Sequence, residues 1–386
     1  MKAKRRAIRI KDVHAFLIDL FRFDVHAKRV YSLANGTIGV MSGASLAVHS
    51  VGQGLARARG LNTKHAIKQV DRLLSNQGVD VWEIFEDWVP QVVGERKEIV
   101  VAMDWTHYDR DDQSTLSINL ITKHGRATPL MWMTVIKSEL KEKQNEHEYR
   151  MLLRFLEVLP EGVKVTLLAD RGFDDHKFMD FVRNLCGFDY VIRFRGNTVV
   201  TSEQGVTKPA KEWVGKGGRA KTIRNARITR QGHEVPTVVC VHAKGMKDPW
   251  CIASSIEKAD ARRLINYYAK RWSIEPSFRD TKDLHFGMGM SLVRLKNPER
   301  RDRLLLLNAF AVVLLTILGA AGESLGFDRM LKANTVKHRT HSLFRQGSMW
   351  YDLIPNMPDK RLRPLMERFG ELVQQHKSFK KVYEIV

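Results

Sequence analysis

The chain has 386 residues, of which 44% are hydrophobic and 28% charged, so it is globular rather than disordered and long enough for two or three domains at roughly 150 residues each. Its three cysteines, Cys186, Cys240 and Cys251, form no Cys-x-x-Cys pair; a disulfide framework and a zinc ribbon are excluded, and a reducing, cytoplasmic setting fits best. Sixty-four Lys and Arg against 43 Asp and Glu give a net charge of +21, which calls for a polyanionic partner, nucleic acid first and an anionic membrane surface second.

Residues 1–95 read as helical. No proline occurs before Pro90, and Ala66, Ile67, Val70, Leu73 and Leu74 make one apolar stripe with Asn62 as its N-cap. The helix before it spans Ser45 to Arg59 and stops at Gly60. Lys64, His65, Lys68 and Arg72 fall largely off the stripe. Helix, short turn and basic helix outline a helix-turn-helix, with Lys64, Lys68 and Arg72 as DNA contacts. A plain helix hairpin with a solvated basic face has the same outline. The basic N-terminus, MKAKRRAIRIKD, lacks an apolar segment of signal-peptide length, so export is not expected.

From Glu98 the period changes. Ile99–Met103 is an apolar strand ending in Asp104; Leu116–Ile121 and Leu130–Ile136 form a hairpin around Gly125. A helix (Glu148–Leu159), a buried strand ending in Asp170, a helix (Asp174–Cys186, with Asp174 and Asp175 at its start) and a strand (Tyr190–Phe194) follow. The layout is α/β with a mixed sheet. Residues 196–250 interrupt it with a basic, β-rich insertion of ten Lys or Arg against four Asp or Glu. Helices return near Lys258. Leu304–Ala321 is apolar enough to span a bilayer, but Asn308 and Thr316 interrupt it and Arg301, Asp302 and Arg303 abut it; a helix buried on all sides reads the same way.

Two strands thus end in an aspartate at their carboxyl edge, where ligands of open α/β sheets gather. A charge there alone marks the exit to solvent; two on adjacent strands suit Mg²⁺ or Mn²⁺. In YYAKRWSIEPSFRDTK, Tyr268, Arg271, Glu275 and Lys282 stand at offsets 0, 3, 7 and 14. On an ideal helix they project within about 60° of one another, with Arg279 close by. Pro276 resists a straight helix: either it kinks there, or a helix starts near Ser273 with Pro276 in its first turn. His107, Tyr108, Asp109, Asp111 and Asp112 read as a polar turn, and His338 with His341 as solvated or DNA-facing.

This pattern resembles the IS4-type DDE transposases, whose signature is Tyr, two residues, Arg, three residues, Glu, six residues, Lys; Tyr268, Arg271, Glu275 and Lys282 match it without a gap. Asp104 in DWT is similar to the family's first aspartate and Asp170 in ADRGFDD to its second. The resemblance runs from about Glu98 to SLFRQG (Ser342–Gly347). It implies an RNase H-like (retroviral integrase-like) catalytic core with a β-rich insertion, divided here as a helical N-terminal DNA-binding domain (1–95), core (96–195), insertion (196–252), core with the Glu-bearing helix (253–347) and a helical C-terminal segment (348–386). It implies that Asp104, Asp170 and Glu275 hold two Mg²⁺ ions, with Mn²⁺ able to substitute, for phosphoryl transfer. It further implies a homodimer that pairs inverted-repeat DNA ends, cuts them, commonly through a hairpin, and joins them to target DNA, with no membrane partner. Arg271 and Lys282 would clamp phosphates, Tyr268 would donate to one, and Trp250 would stack a flipped base, with Trp213 as the other candidate. A metal nuclease of the same fold that cuts without joining, and a DNA binder with a vestigial site, are the rival readings.

Overall fold

Five helices lead the described chain: α1 (Ile10–Phe21), α2 (Ala27–Gly43), α3 (Val48–Arg59), α4 (Thr63–Leu74) and α5 (Val81–Val93). They belong to a computed structural model that describes residues 10–21, 26–122, 126–283 and 287–374. Gly60 ends α3 with φ +67°, its N–H donating to the Ala56 carbonyl. Asn62 caps α4 by accepting from the backbone N–H of Lys64 and His65 at 3.0 and 3.4 Å. The expected stripe is buried through Ala66, Val70, Leu73 and Leu74, while Lys64, Lys68 and Arg72 are exposed. α3 lies so close to α4 that a Cβ on Gly52 would stand 2.6 Å from the Ile67 Cα.

A three-stranded antiparallel meander follows, β1 (Glu98–Tyr108), β2 (Gln113–Leu120) and β3 (Thr128–Ile136). Gly125, expected at the β2–β3 turn, lies outside the described residues. α6 (Gln144–Val158) leads to β4 (Lys164–Ala169), and α7 (His176–Asp180), prolonged by one wider turn, leads to β5 (Asp189–Phe194). β4 runs parallel to both β1 and β5. Its apolar run is what a strand covered on both faces requires.

The basic segment expected to interrupt this layout continues it instead. β6 (Val199–Thr201), β7 (Thr207–Pro209), β8 (Lys221–Ile228), β9 (His233–Val241) and β10 (Trp250–Ser254) extend one ten-stranded sheet in the order β3-β2-β1-β4-β5-β10-β9-β8-β6-β7. The join is β10, antiparallel to β5 with Cys251 opposite Phe194.

The chain then becomes helical: α8 (Ala261–Lys270), α9 (Ile274–Lys282), α10 (Pro298–Ser324), α11 (Leu343–Leu353) and α12 (Asp359–Gln374). α10 is the one described helix long and apolar enough to cross a membrane, and 83% of its most apolar window is buried inside the protein. It packs against α2, β3, α11 and α12. Its flanking charges are bonded inside the protein, although Arg301 Nη1 is left without a hydrogen-bond partner among the described residues. Arg301 bonds Asp111 and Gln113, Arg303 donates to the Val79 and Leu74 carbonyls, and Asp302 accepts from Thr134. Within SLFRQG, Ser342 caps α11 and Gly347 lets α11 touch α10, since a Cβ there would lie 1.7 Å from the Leu315 carbonyl oxygen.

Candidate active site

β1 does not stop at Asp104, as the apolar run suggested. It continues to Tyr108 because β2 pairs with it beyond that point, placing Asp104 opposite Ser117. On the β4 side the ladder ends at Ala102 opposite Leu168. Asp104 therefore emerges beside the end of β4, where Asp170 follows Ala169. Asp170 accepts from the Gly172 N–H at 2.7 Å, which fixes the turn after β4.

Glu275 arrives from the other side. Lys270 ends α8, a turn of 3₁₀ helix covers Arg271–Ser273, and α9 starts at Ile274, so Pro276 sits in a first turn that needs no donor from it. The backbone overwinds through this junction instead of forming one ideal helix, so the narrow common face does not survive as drawn.

Arg271 is the residue on which the carboxylates meet. Its Nη1 lies 2.9 Å from Asp104 Oδ2 and its Nη2 3.6 Å from Glu275 Oε1. The guanidinium is buried, and its Nε has no hydrogen-bond partner. Burial pushes the Asp104 carboxyl up to about 6; Arg271 opposes the shift and the neighbouring charge of Asp170 adds to it. Glu275 remains 60% exposed.

Lys282 reaches the far part of β1. Its Nζ donates to Thr106 Oγ1 at 3.1 Å and to the His107 carbonyl at 3.0 Å, and lies 5.1 Å from the Tyr108 ring centroid. Arg301 stands 4.0 Å from the same ring. Burial lowers the Lys282 pKa. Arg279, one turn beyond Glu275, is exposed.

Two expected DNA contacts, Tyr268 and Trp250, are buried. Tyr268 is 1% exposed and lies beneath Arg271, its ring centroid 5.9 Å from the guanidinium carbon. Trp250 is 8% exposed, with Tyr268 and Trp272 at ring-centroid distances of 4.9 and 5.8 Å. Both rings are drawn inward because β10 is an interior strand covered by α8. The accessible aromatic here is Trp272, 55% exposed, which the sequence reading passed over. Trp213 is half-buried, donating to the Val200 carbonyl beneath Lys208.

Sequence reasoning also missed Glu148, which is 2% exposed and accepts from Trp105 Nε1 and Gln144 Nε2, each at 2.8 Å. Burial pushes its carboxyl up to about 7. A signal existed: Glu148 begins the stripe completed by Met151, Leu152 and Phe155, where a charge is out of place. The aspartates after β1 do form a polar turn, Asp109 pairing with Lys137, Asp112 with Ser138 and Asp111 with Arg301.

Among the described residues no three His, Cys, Asp or Glu side chains stand close enough together to hold a metal ion. The donors nonetheless suit a hard divalent cation in kind: Asp104 and Glu275 both approach Arg271, and the charge of Asp170 is felt at Asp104. The family model described as "Transposase DDE domain" matches residues 96–314, more than half of the chain, and takes in Asp104, Asp170 and Glu275. No curated protein shows significant similarity to the chain.

Proposed function

Since the chain belongs to the transposase DDE domain family, we propose that it is a cut-and-paste DNA transposase of the IS4 type, with Asp104, Asp170 and Glu275 as its catalytic carboxylates. The carrying observation is that Asp104 and Glu275, far apart in sequence, share one buried guanidinium beside Asp170. The order β3-β2-β1-β4-β5, with only β1, β4 and β5 parallel, supports an RNase H-like core. Residues 1–95 are the DNA-binding domain in this reading, and two protomers pair the element ends.

Asp104, Asp170 and Glu275 would hold Mg²⁺, which when bound supplies Lewis-acid activation of the scissile phosphate and its nucleophile. The chain's own residues do the rest. Arg271 orients Asp104. Lys282 braces the outer half of β1 against α9. Arg279 offers an exposed cation to a phosphate, and Trp272 an exposed ring to an unstacked base. Lys64, Lys68 and Arg72 meet the duplex from α4. One site serves water and a 3′-hydroxyl alike, so cleavage, hairpin closure and joining differ only in the attacking oxygen.

The test is incubation with DNA carrying the element ends and Mg²⁺, resolving nicked, hairpinned and joined products. Joined products are expected. Cleavage without joining would make the protein a nuclease, and no product at all would leave a DNA binder.

A further inference from the structure

The edge that carries Asp104 and Asp170 continues past β5. Trp250 at the start of β10 lies opposite Val241 at the end of β9, and Cys240 lies opposite Lys221 at the start of β8. The start of β10, the end of β9 and the start of β8 thus share the edge at which β4 and β5 end.

Two loops crown this edge, residues 215–220 before β8 and 242–249 between β9 and β10. They are tied together by a backbone bond from His242 N to the Gly218 carbonyl at 3.0 Å, and the first is closed by Gly215 N donating to the Arg219 carbonyl at 2.9 Å. Gly218 has φ +80°, and a Cβ there would lie 2.0 Å from the His242 carbonyl oxygen, so only glycine permits the crossing. The loops form a fixed platform rather than two loose tethers.

Lys216, Arg219, Lys244 and Lys247 stand on this platform with Lys221 beside them, and all five are exposed. Among the described residues none is joined to a carboxylate; Arg219 Nε donates to the Lys216 carbonyl at 3.1 Å. The local acids, Glu212 and Asp248, are exposed as well. Five uncompensated cations on a rigid support repel one another and contribute nothing to a core. A regularly charged polyanion relieves that repulsion.

We infer that this platform is a DNA-backbone clamp, separate from the α4 contacts, that seats the duplex entering the catalytic edge. The inference rests on reading that edge as the catalytic one. Four strand-to-strand steps separate β4 from β8, roughly 19 Å at about 4.8 Å each. At about 3.4 Å per base pair this is roughly five or six base pairs from the cut, within reach of the same duplex.

The test uses the full chain, a fluorescein-labelled mixed-sequence duplex and a salt titration. Lys216, Arg219, Lys221, Lys244 and Lys247 are changed together to Gln. A control changes Lys141, Lys143, Lys360, Arg361 and Arg363 to Gln, an equal loss of charge elsewhere. The platform variant is expected to bind at least about tenfold more weakly near physiological salt, with the log–log salt slope shallower by about 0.9 for each phosphate contact removed. The control keeps most of the affinity. An unchanged slope in the platform variant, or an equal loss in the control, overturns the clamp. If the five-fold variant fails to fold, the pairs Lys216→Gln with Arg219→Gln and Lys244→Gln with Lys247→Gln replace it. Glu275→Gln separates the two readings: if it binds but does not cut, the catalytic edge stands whatever the platform does, and if it still cuts, the edge was misread.

Discussion

Arg271 Nη1 sits 2.9 Å from Asp104 Oδ2, and through this contact the α8–α9 junction is fastened to the middle of β1. The same guanidinium leans toward Glu275 at 3.6 Å. An arginine between two carboxylates cancels charge that would otherwise oppose their approach. Removing it leaves Asp104 enclosed without its cation. Arg271→Ala is therefore expected to destabilise the fold by about 3 kcal/mol, the usual cost of orphaning one member of a buried pair. Denaturant titration measures it. Coupling with Asp104→Asn in a double-mutant cycle checks the cause, and strictly additive losses would show that the contact carries no energy.

Glu148 and Trp105 offer a cleaner comparison. Gln at 148 still presents an oxygen to the indole N–H; Leu does not. Glu148→Gln should change stability by less than about 1 kcal/mol, whereas Glu148→Leu should cost about 1–3 kcal/mol by stranding a half-buried donor. Unfolding curves for the two variants decide this. Equal losses would mean that the hydrogen bond is incidental.

Stability should fall as pH rises from about 4 to about 7. Burial pushes Asp104 up to about 6 and both Glu148 and Asp302 up to about 7. A carboxyl whose pKa is raised on folding keeps its proton in the native state while the unfolded chain releases it. The unfolded state therefore gains on the native state through this window, and the stabilising contribution is fully present only below the unfolded carboxyl pKa. Asp302 is the deepest of the three, held by the backbone N–H and hydroxyl of Thr134. Asp302→Asn should flatten the pH dependence by on the order of 2 kcal/mol across the window. Chemical denaturation at both ends of the range reads it, and an unchanged slope in the variant would contradict the assignment.

Gly347 tests the packing of the central helix. A Cβ at this position would meet the Leu315 carbonyl oxygen at 1.7 Å, and Gly319 meets the Leu343 carbonyl oxygen at 1.9 Å in the same way. Gly347→Ala must push α10 and α11 apart and should cost at least about 3 kcal/mol by overpacking. A melting temperature within a degree or two of the wild type would show that the helices slide freely.

Local signals were legible in the sequence where one residue does one physical job. Asn62 is a cap because its side chain meets two free N–H groups, and Gly60 stops α3 because only glycine turns there without strain. β4 announced itself by a largely apolar run, and Asp170 by ending it. The spacing from Tyr268 to Lys282 located the helices that face the sheet. What stayed hidden depends on contacts between distant segments. Whether β1 ends at Asp104 is decided by β2, which pairs on to Tyr108. Whether Trp250 offers its face to solvent is decided by Tyr268 and Trp272, which cover it. The insertion could be recognised as β-rich, but no local feature foretold that β10 would join it to β5. Arg271 was matched as a phosphate clamp; its position between the carboxylates follows only from the overwound junction ahead of α9.

Divalent-cation binding to the DNA-free protein asks most directly whether three carboxylates act as one site. Mn²⁺ binding can be followed by electron paramagnetic resonance for the wild type and for Asp104→Asn, Asp170→Asn and Glu275→Gln, alongside strand cleavage by each. The expected result is that every single substitution weakens Mn²⁺ binding and abolishes cleavage, and that combining them adds little further loss. Cleavage that persists in any one of the three variants, or Mn²⁺ binding indifferent to all of them, would contradict the account.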